Sequence, residues 1–261
     1  MSAFFKNMFI LSCLILSAVT TCSYADTLKK INLAAMEWPP FYGEKLPENG
    51  FIAALTREAL HRSGYELEIE FMPWKRALNG TQLGLYDGVL GLYYSEDRVT
   101  TLAFTKSIYQ SEQVFVKKAQ SNTNLTQPER GSEHRVAVQF GTLQAHDAQQ
   151  QGFEIYATYS NSTSLKLLLK ERVQFALLAR EHLLYMQHEQ NAQNIAKKAF
   201  AIVSPPFRTY KIYNAFSRKH SQSDQLVDAF NRGFLTMKQD GSYDAILARF
   251  GFMASPEPEH K

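Results

Sequence analysis

Apolar and polar positions along the chain fall into short segments whose period switches between that of a strand and that of a helix. Lys30–Ala35 reads as a short strand. The stretch Met36–Phe41 reads as the loop leaving its carboxyl end, because Pro39 and Pro40 exclude both helix and ladder pairing. Phe51–Ser63 then sets Ile52, Leu55, Ala59 and Leu60 on one helical face, and Gly64 closes the helix. Tyr65–Phe71 alternates as a second strand, and Met72–Leu78 opens a second helix with Pro73 near its first turn. From Asp87 an apolar run of buried type extends to Tyr94, breaks at Ser95-Glu96-Asp97, and presents Arg98 at a strand-to-turn junction.

The same alternation restarts further along. Gln113–Lys118 is a strand, and Ala119–His134, polar and interrupted by Pro128 and Gly131, is a loop. Arg135–Phe140, Phe153–Tyr156, Val173–Leu178 and Ala199–Val203 are further strands. Between them lie helices from Gly141–Gln144 through Gln151, over Ser162–Glu171 with Asn161 or Ser162 as cap, and over Arg180–Gln190. Pro205-Pro206 ends this second α/β unit, after which Thr209–Arg218 is strand-like, Ser223–Lys238 is an amphipathic helix and Ser242–Phe250 follows Asp240-Gly241. Two α/β units with a return segment predict two lobes.

The amino terminus changes the compartment. Residues 1–25 carry one charge, Lys6, an apolar stretch from Met8 to Val19 and a small-x-small site at Ser23-Tyr24-Ala25, the pattern of a cleaved export signal. Val19–Cys22 is a second, lipoprotein-like option, weakened by threonine before the cysteine. Cleavage after Ala25 removes both cysteines, Cys13 and Cys22, so the mature chain has no thiol chemistry. The expected location is the periplasm. With 28 basic and 25 acidic residues, the basic ones scattered, nothing favours a nucleic-acid partner.

Candidate chemistry gathers at strand ends. Trp38, Trp74, Arg76 and Arg98 all follow a strand's carboxyl end, where open α/β sheets form their ligand crevice. Arg98 suits bidentate contact with a carboxylate, with Ser95 as an N-cap whose neighbouring amides share the charge; the alternative is a solvated pair with Glu96 or Asp97. The tryptophans either stack on a ligand or cap the sheet edge. Gly141 and Thr142 form an anion cradle at a helix start, or an ordinary strand–helix turn. The seven histidines show no metal spacing, since His182 and His188 are neither i, i+3 nor i, i+4, and no cofactor motif is present.

The order of Glu37-Trp-Pro-Pro-Phe41, Gly50-Phe51, Pro73-Trp74, Asp87–Arg98, Phe104, Tyr109, Gly141-Thr142 and Asp240–Tyr243 resembles the family 3 extracytoplasmic solute-binding proteins, the polar amino-acid receptors of ABC importers. The resemblance implies a type II periplasmic-binding fold: two α/β lobes joined by two hinge crossovers, near Ser111-Glu112 and Ser217-Arg218. It implies lobe one at 26–112 and 217–261, lobe two at 113–216, a monomer, a small-molecule ligand and an ABC permease as partner. Carried over by position, Trp38 falls on a ligand-stacking aromatic and Arg98 on the clamp for the ligand α-carboxylate. Tyr93 lies in the region of hydroxyl-bearing ligand residues, and Gly141, Thr142 and Gln144 fit the second-lobe motif. Leu143 stands where a threonine is frequent, and Ala179-Arg180, with Glu181 nearby, stands where an acid usually meets the α-ammonium.

Three function classes use such a scaffold. A binding protein needs a cleft, an anchor and a hinge. A secreted dehydratase needs a positioned acid or base, for which Glu37 is the only cleft-edge candidate, and a sensory subunit would use the binding residues. The expectation is a binding protein without catalysis, delivering a small polar carboxylate-bearing solute to an importer.

Overall fold

A computed structural model describes residues 28–123, 125, 134–192 and 199–252. The export signal, Pro128, Gly131, His260 and the tail Glu257–Lys261 lie outside the described residues. The strands are β1 (Lys29–Ala35), β2 (Tyr65–Phe71), β3 (Gly88–Tyr93), β4 (Leu102–Phe104), β5 (Tyr109–Lys118), β6 (Arg135–Gln139), β7 (Glu154–Thr158), β8 (Phe175–Ala179) and β9 (Phe200–Ser217). The helices are α1 (Phe51–His61), α2 (Trp74–Leu83), α3 (Leu143–Gln150), α4 (Asn161–Leu169), α5 (Arg180–Ala192), α6 (Ser223–Asp240) and α7 (Ser242–Arg249).

All strands join one sheet in the order β2-β1-β3-β9-β5-β8-β6-β7, with β4 alongside β9. Each end repeats one arrangement of three parallel strands with the first in the middle: β2-β1-β3 and β7-β6-β8. Between them, β5 and β9 pair antiparallel and run from one half into the other. The sheet is therefore mixed rather than parallel throughout. Each half has its own apolar core. The first is built from Leu33, Val89, Leu90 and Leu92 under α1, α6 and α7. In the second, Val114, Ala137, Ala176 and Leu178 pack against Leu165, Leu168 and Leu183.

Two features depart from the expectations of chain pattern. Pro205-Pro206 does not end a strand, because β9 continues from Phe200 to Ser217. Its register with β5 slips between Gln113↔Arg208 and Phe115↔Val203, so the prolines occupy a bulge where no ladder donor is required. Ser217-Arg218, expected as a crossover, is bonded to the first half. Ser217 N–H donates to Asp87 O at 2.8 Å and Arg218 N–H to Thr101 O at 2.9 Å, which ties both into the first half. The strand passes between halves upstream, where Ser111 and Glu112 face Tyr210 and Thr209.

Close helix packing in the first half depends on Gly233 of α6, where an added Cβ would sit 1.9 Å from Ala59 O on α1. Backbone cannot yield as a side-chain tip can. Gly233→Ala is expected to separate α1 from α6 and to lower unfolding free energy by about 1–3 kcal/mol, measured as a reduced urea midpoint.

Candidate functional site

The carboxyl ends of the parallel strands of both halves point at one crevice, so the loops leaving them meet across it. From the first half come Met36 and Trp38 after β1, Trp74 after β2, and Gly91, Leu92, Tyr93 and Arg98 at and after the end of β3. From the second come Gln139 at the end of β6 and Thr142, Leu143 and Gln144 entering α3. Together they line a cavity of about 20 Å³. Room for a water molecule needs roughly 10–15 Å³, so the two halves are nearly shut over this space.

Local sequence explains how the first-half residues reach it. Gly91 has φ +56° and sits where β3 slips register against β9, and an added Cβ there would lie 2.4 Å from the Tyr42 ring. Tyr42 Oη donates to Gly91 O at 2.6 Å, and Gly91 N–H donates to Asn214 Oδ1 at 3.0 Å. Glycine thus permits the kink that turns the end of β3 toward the crevice. Trp38 is fixed by backbone pairing with Tyr42 and by ring contacts to Phe41 at 4.2 Å and, edge on, to Tyr93 at 5.4 Å.

Arg98 dominates the electrostatics. Its side chain is 7% exposed, its Nη1 donates to Tyr93 O at 3.2 Å, and its carbon Cζ lies 5.7 Å from the Trp74 ring centre. Its Nε–H is buried without a hydrogen-bond partner, and no described carboxylate forms an ion pair with it. Burial pulls its pKa below the usual arginine value, with Asp97 acting in the opposite sense. A buried guanidinium with an idle donor is costly unless an anion meets it. Gln144 Oε1, on the opposite wall, is likewise buried without a partner.

Other candidates are placed differently. Arg76 is exposed on α2 and does not line the cavity. Ser95 precedes the turn Glu96–Arg98, but its hydroxyl donates to Asp97 and caps no backbone amide, so it is turned away from the cavity. Thr142 Oγ1 donates to Gln139 O at 2.7 Å, and Gly141 O accepts from Trp74 Nε1 at 3.0 Å, a bond between the two halves. Glu37 is exposed at the crevice mouth, where its Oε1 accepts from Glu44 N–H at 3.0 Å. Among the described residues no cluster of His, Cys, Asp or Glu has metal-binding geometry.

Chain pattern did not single out Met36, Gln139 or the hinge-side residues behind the cavity. Gln113 Nε2 donates to Tyr93 Oη at 2.8 Å and to Ser111 Oγ at 3.3 Å, and Ser111 Oγ donates to Glu181 Oε2 at 2.8 Å. Glu181 is buried, which raises its pKa above the usual carboxylate value despite these bonds. Beside it on α5, His182 Nδ1 bonds to Pro39 O across the two halves while Nε2 is buried without a partner, and burial lowers its pKa to about 4. A second signal for these residues exists only in space, since β5, α5 and the Pro39 loop are far apart in sequence.

Comparison with known proteins identifies the scaffold. No curated protein matches the chain in sequence. A histidine kinase sensor domain with similarity to periplasmic binding proteins superposes with TM-score 0.74 at 19% identity, covering 88% of this chain and 100% of that one. The substrate-binding protein of an amino acid ABC transporter superposes with TM-score 0.68 at 20% identity, covering 84% and 98%. An ancestral amino acid-binding protein, described as a precursor of cyclohexadienyl dehydratase, gives TM-score 0.67 at 19% identity, covering 84% and 94%. These likenesses establish the two-lobed periplasmic-binding fold. The sequence pattern of the bacterial extracellular solute-binding proteins, family 3, matches residues 32–253, and the chain belongs to that family.

Proposed function

We propose that this protein captures a small carboxylate-bearing solute between its two lobes and delivers it to an ABC importer. The observation that carries the reading is Arg98, a buried guanidinium with an unpaired Nε–H on the wall of the interlobe cavity. Trp38, Trp74, Tyr93, Thr142 and Gln144 complete the site in this reading, and Gly141 holds Trp74 when the lobes are closed. Export with cleavage after Ala25 belongs to it, and intact-mass analysis of the periplasmic protein should find Asp26 first. The lobes are taken as 28–112 with 209–252, and 113–208, because β5 and β9 cross at Ser111–Gln113 and Arg208–Tyr210.

Binding rather than catalysis fits the groups at the cavity. A general acid or base must reach the reacting atoms. Glu37 stands at the exposed mouth, and Glu181 lies behind Ser111 on the hinge side. The solute becomes enclosed by rotation about the β5–β9 crossing. Trp38 and Trp74 are the two tryptophans of the chain and both line the cavity, so intrinsic fluorescence reports closure directly. Ligand is expected to shift or quench the emission with the same midpoint as the calorimetric titration, and Trp38→Phe and Trp74→Phe should divide the signal. Tight binding with no change in emission would remove both tryptophans from the site.

A further inference from the structure

The cavity at Arg98 opens beside a second, larger space. Met36, Trp74 and Gln139 line both, and beyond them a groove of about 690 Å³ runs out between the lobes. Its walls are largely apolar and aromatic. Phe71, Met72 and Pro73 form the lobe-one side, while Phe140 and Tyr159 stand on lobe two with 53% and 94% of their surface exposed. Lys75 Nζ lies 4.1 Å from the Phe140 ring centre, so the groove's lysine already has an aromatic partner. The inner cavity, at about 20 Å³, has no room for the body of a ligand.

The chemistry of the inner wall restricts that head further. Arg98 calls for an anion. No residue lining the inner cavity carries a carboxylate, and the unpartnered group opposite Arg98 is the neutral carboxamide of Gln144. An ammonium there would face the guanidinium without a counter-charge, a costly arrangement at low dielectric. A neutral N–H pairs with the Gln144 oxygen without that penalty. The groove's two carboxylates, Glu37 and Glu44, stand on the outer rim, and Glu37 is already engaged by the Glu44 N–H.

We propose that the solute is an N-acylated amino acid with an apolar or aromatic acyl group: carboxylate on Arg98, amide N–H toward Gln144, and acyl group in the groove against Phe140 and Tyr159. This rests on the reading of Arg98 as the carboxylate anchor. The closing experiment is calorimetry on the exported protein with a panel of N-benzoyl and N-acetyl amino acids, the corresponding free amino acids, and benzoylglycine amide, in which the carboxylate is blocked. The expected result is that an N-benzoyl amino acid binds at least tenfold more tightly than its free counterpart, and that blocking the carboxylate abolishes binding. Phe140→Ala with Tyr159→Ala should weaken the benzoyl compound several-fold and leave the acetyl compound unchanged. A free amino acid binding as tightly as its acylated form, or no binding by any acylated member, overturns the proposal. In the first case, loss of amino-acid binding in Arg98→Met would leave the anchor standing; an unchanged affinity in that variant would overturn the anchor as well.

Discussion

Arg98→Met is expected to make the ligand-free protein more stable while destroying its affinity for carboxylates. Methionine fills a similar volume without a charge, so the desolvation cost of a guanidinium that is 7% exposed and has an unpaired Nε–H disappears. Replacing buried charge by apolar groups of similar shape gains on the order of 1–3 kcal/mol, here offset in part by loss of the bond to Tyr93 O and the contact with Trp74. Binding should fall by about 2–5 kcal/mol, a factor of roughly 30 to several thousand. Thermal unfolding without ligand and calorimetry with it measure the two effects separately. A residue serving only the fold would lose stability on this change. A melting temperature that drops in the variant would therefore count against Arg98 as an anchor kept for its ligand.

Acidification should destabilise the protein through His182. Its imidazole is buried, so the neutral form is favoured and the pKa falls to about 4, although the bond from Nδ1 to Pro39 O acts in the opposite sense; Nε2 has no partner. The unfolded chain, with an ordinary histidine pKa near 6.5, binds the proton more readily over the interval between the two values. Stability contributed by the neutral ring is complete above about pH 6.5 and is lost as pH falls toward 4, a change of about 3 kcal/mol. Glu181 acts in the opposite direction. Its raised pKa means that the folded state holds a proton the unfolded chain has released, so its contribution is fully present below the ordinary carboxylate pKa and is lost as pH rises. His182→Gln separates the two, because the amide can still donate to Pro39 O but does not titrate. The variant should match the parent near pH 7 and exceed it near pH 4.5, compared by urea unfolding at both values. Parallel pH profiles would place the acid sensitivity elsewhere.

Direct bonds tie the lobes together across the cleft. His182 holds the Pro39 loop from lobe two, and Trp74 Nε1 reaches Gly141 O at 3.0 Å across the mouth. Tyr93 bridges these regions, stacking on Tyr210 at 4.7 Å and accepting from Gln113 of the crossing strand. Closure in this molecule is thus supported by direct protein bonds as well as by whatever the cavity holds. Each bond contributes modestly by itself, about 1 kcal/mol.

Much of the architecture was legible along the chain. Alternation in Tyr65–Phe71 and the continuous apolar run before Tyr94 located strands, while Pro39-Pro40, Pro73 and Gly141 marked the loops after them. In an open α/β sheet those loops form the crevice, so Trp38, Trp74 and Arg98 could be named as neighbours before any contact was known. Arg76 and Ser95 show the limit of that rule. Both stand within a few residues of cavity-lining positions, yet helix rotation carries Arg76 to the exposed face of α2 and the turn at Glu96–Arg98 carries Ser95 toward Asp97. Periodicity assigns a side to a residue within its element; it does not say which side meets the other lobe.

What only the tertiary structure decided depends on pairing between distant segments. Pro205-Pro206 looks like a terminator in sequence, and the partner strand β5 makes it a bulge within β9 by supplying the ladder on either side. The lobe boundary proposed at Arg208–Tyr210 rests on that register. Arg98 reads also as a surface ion pair until the lobes bury it, with no ion pair to any described carboxylate, and His182 is an unremarkable helix residue until Pro39 closes over it. Local sequence sets backbone preference and hydrophobic pattern, because these depend on near neighbours. Burial, charge pairing and idle donors depend on which surfaces meet, and here that is settled by contacts between residues far apart in the chain.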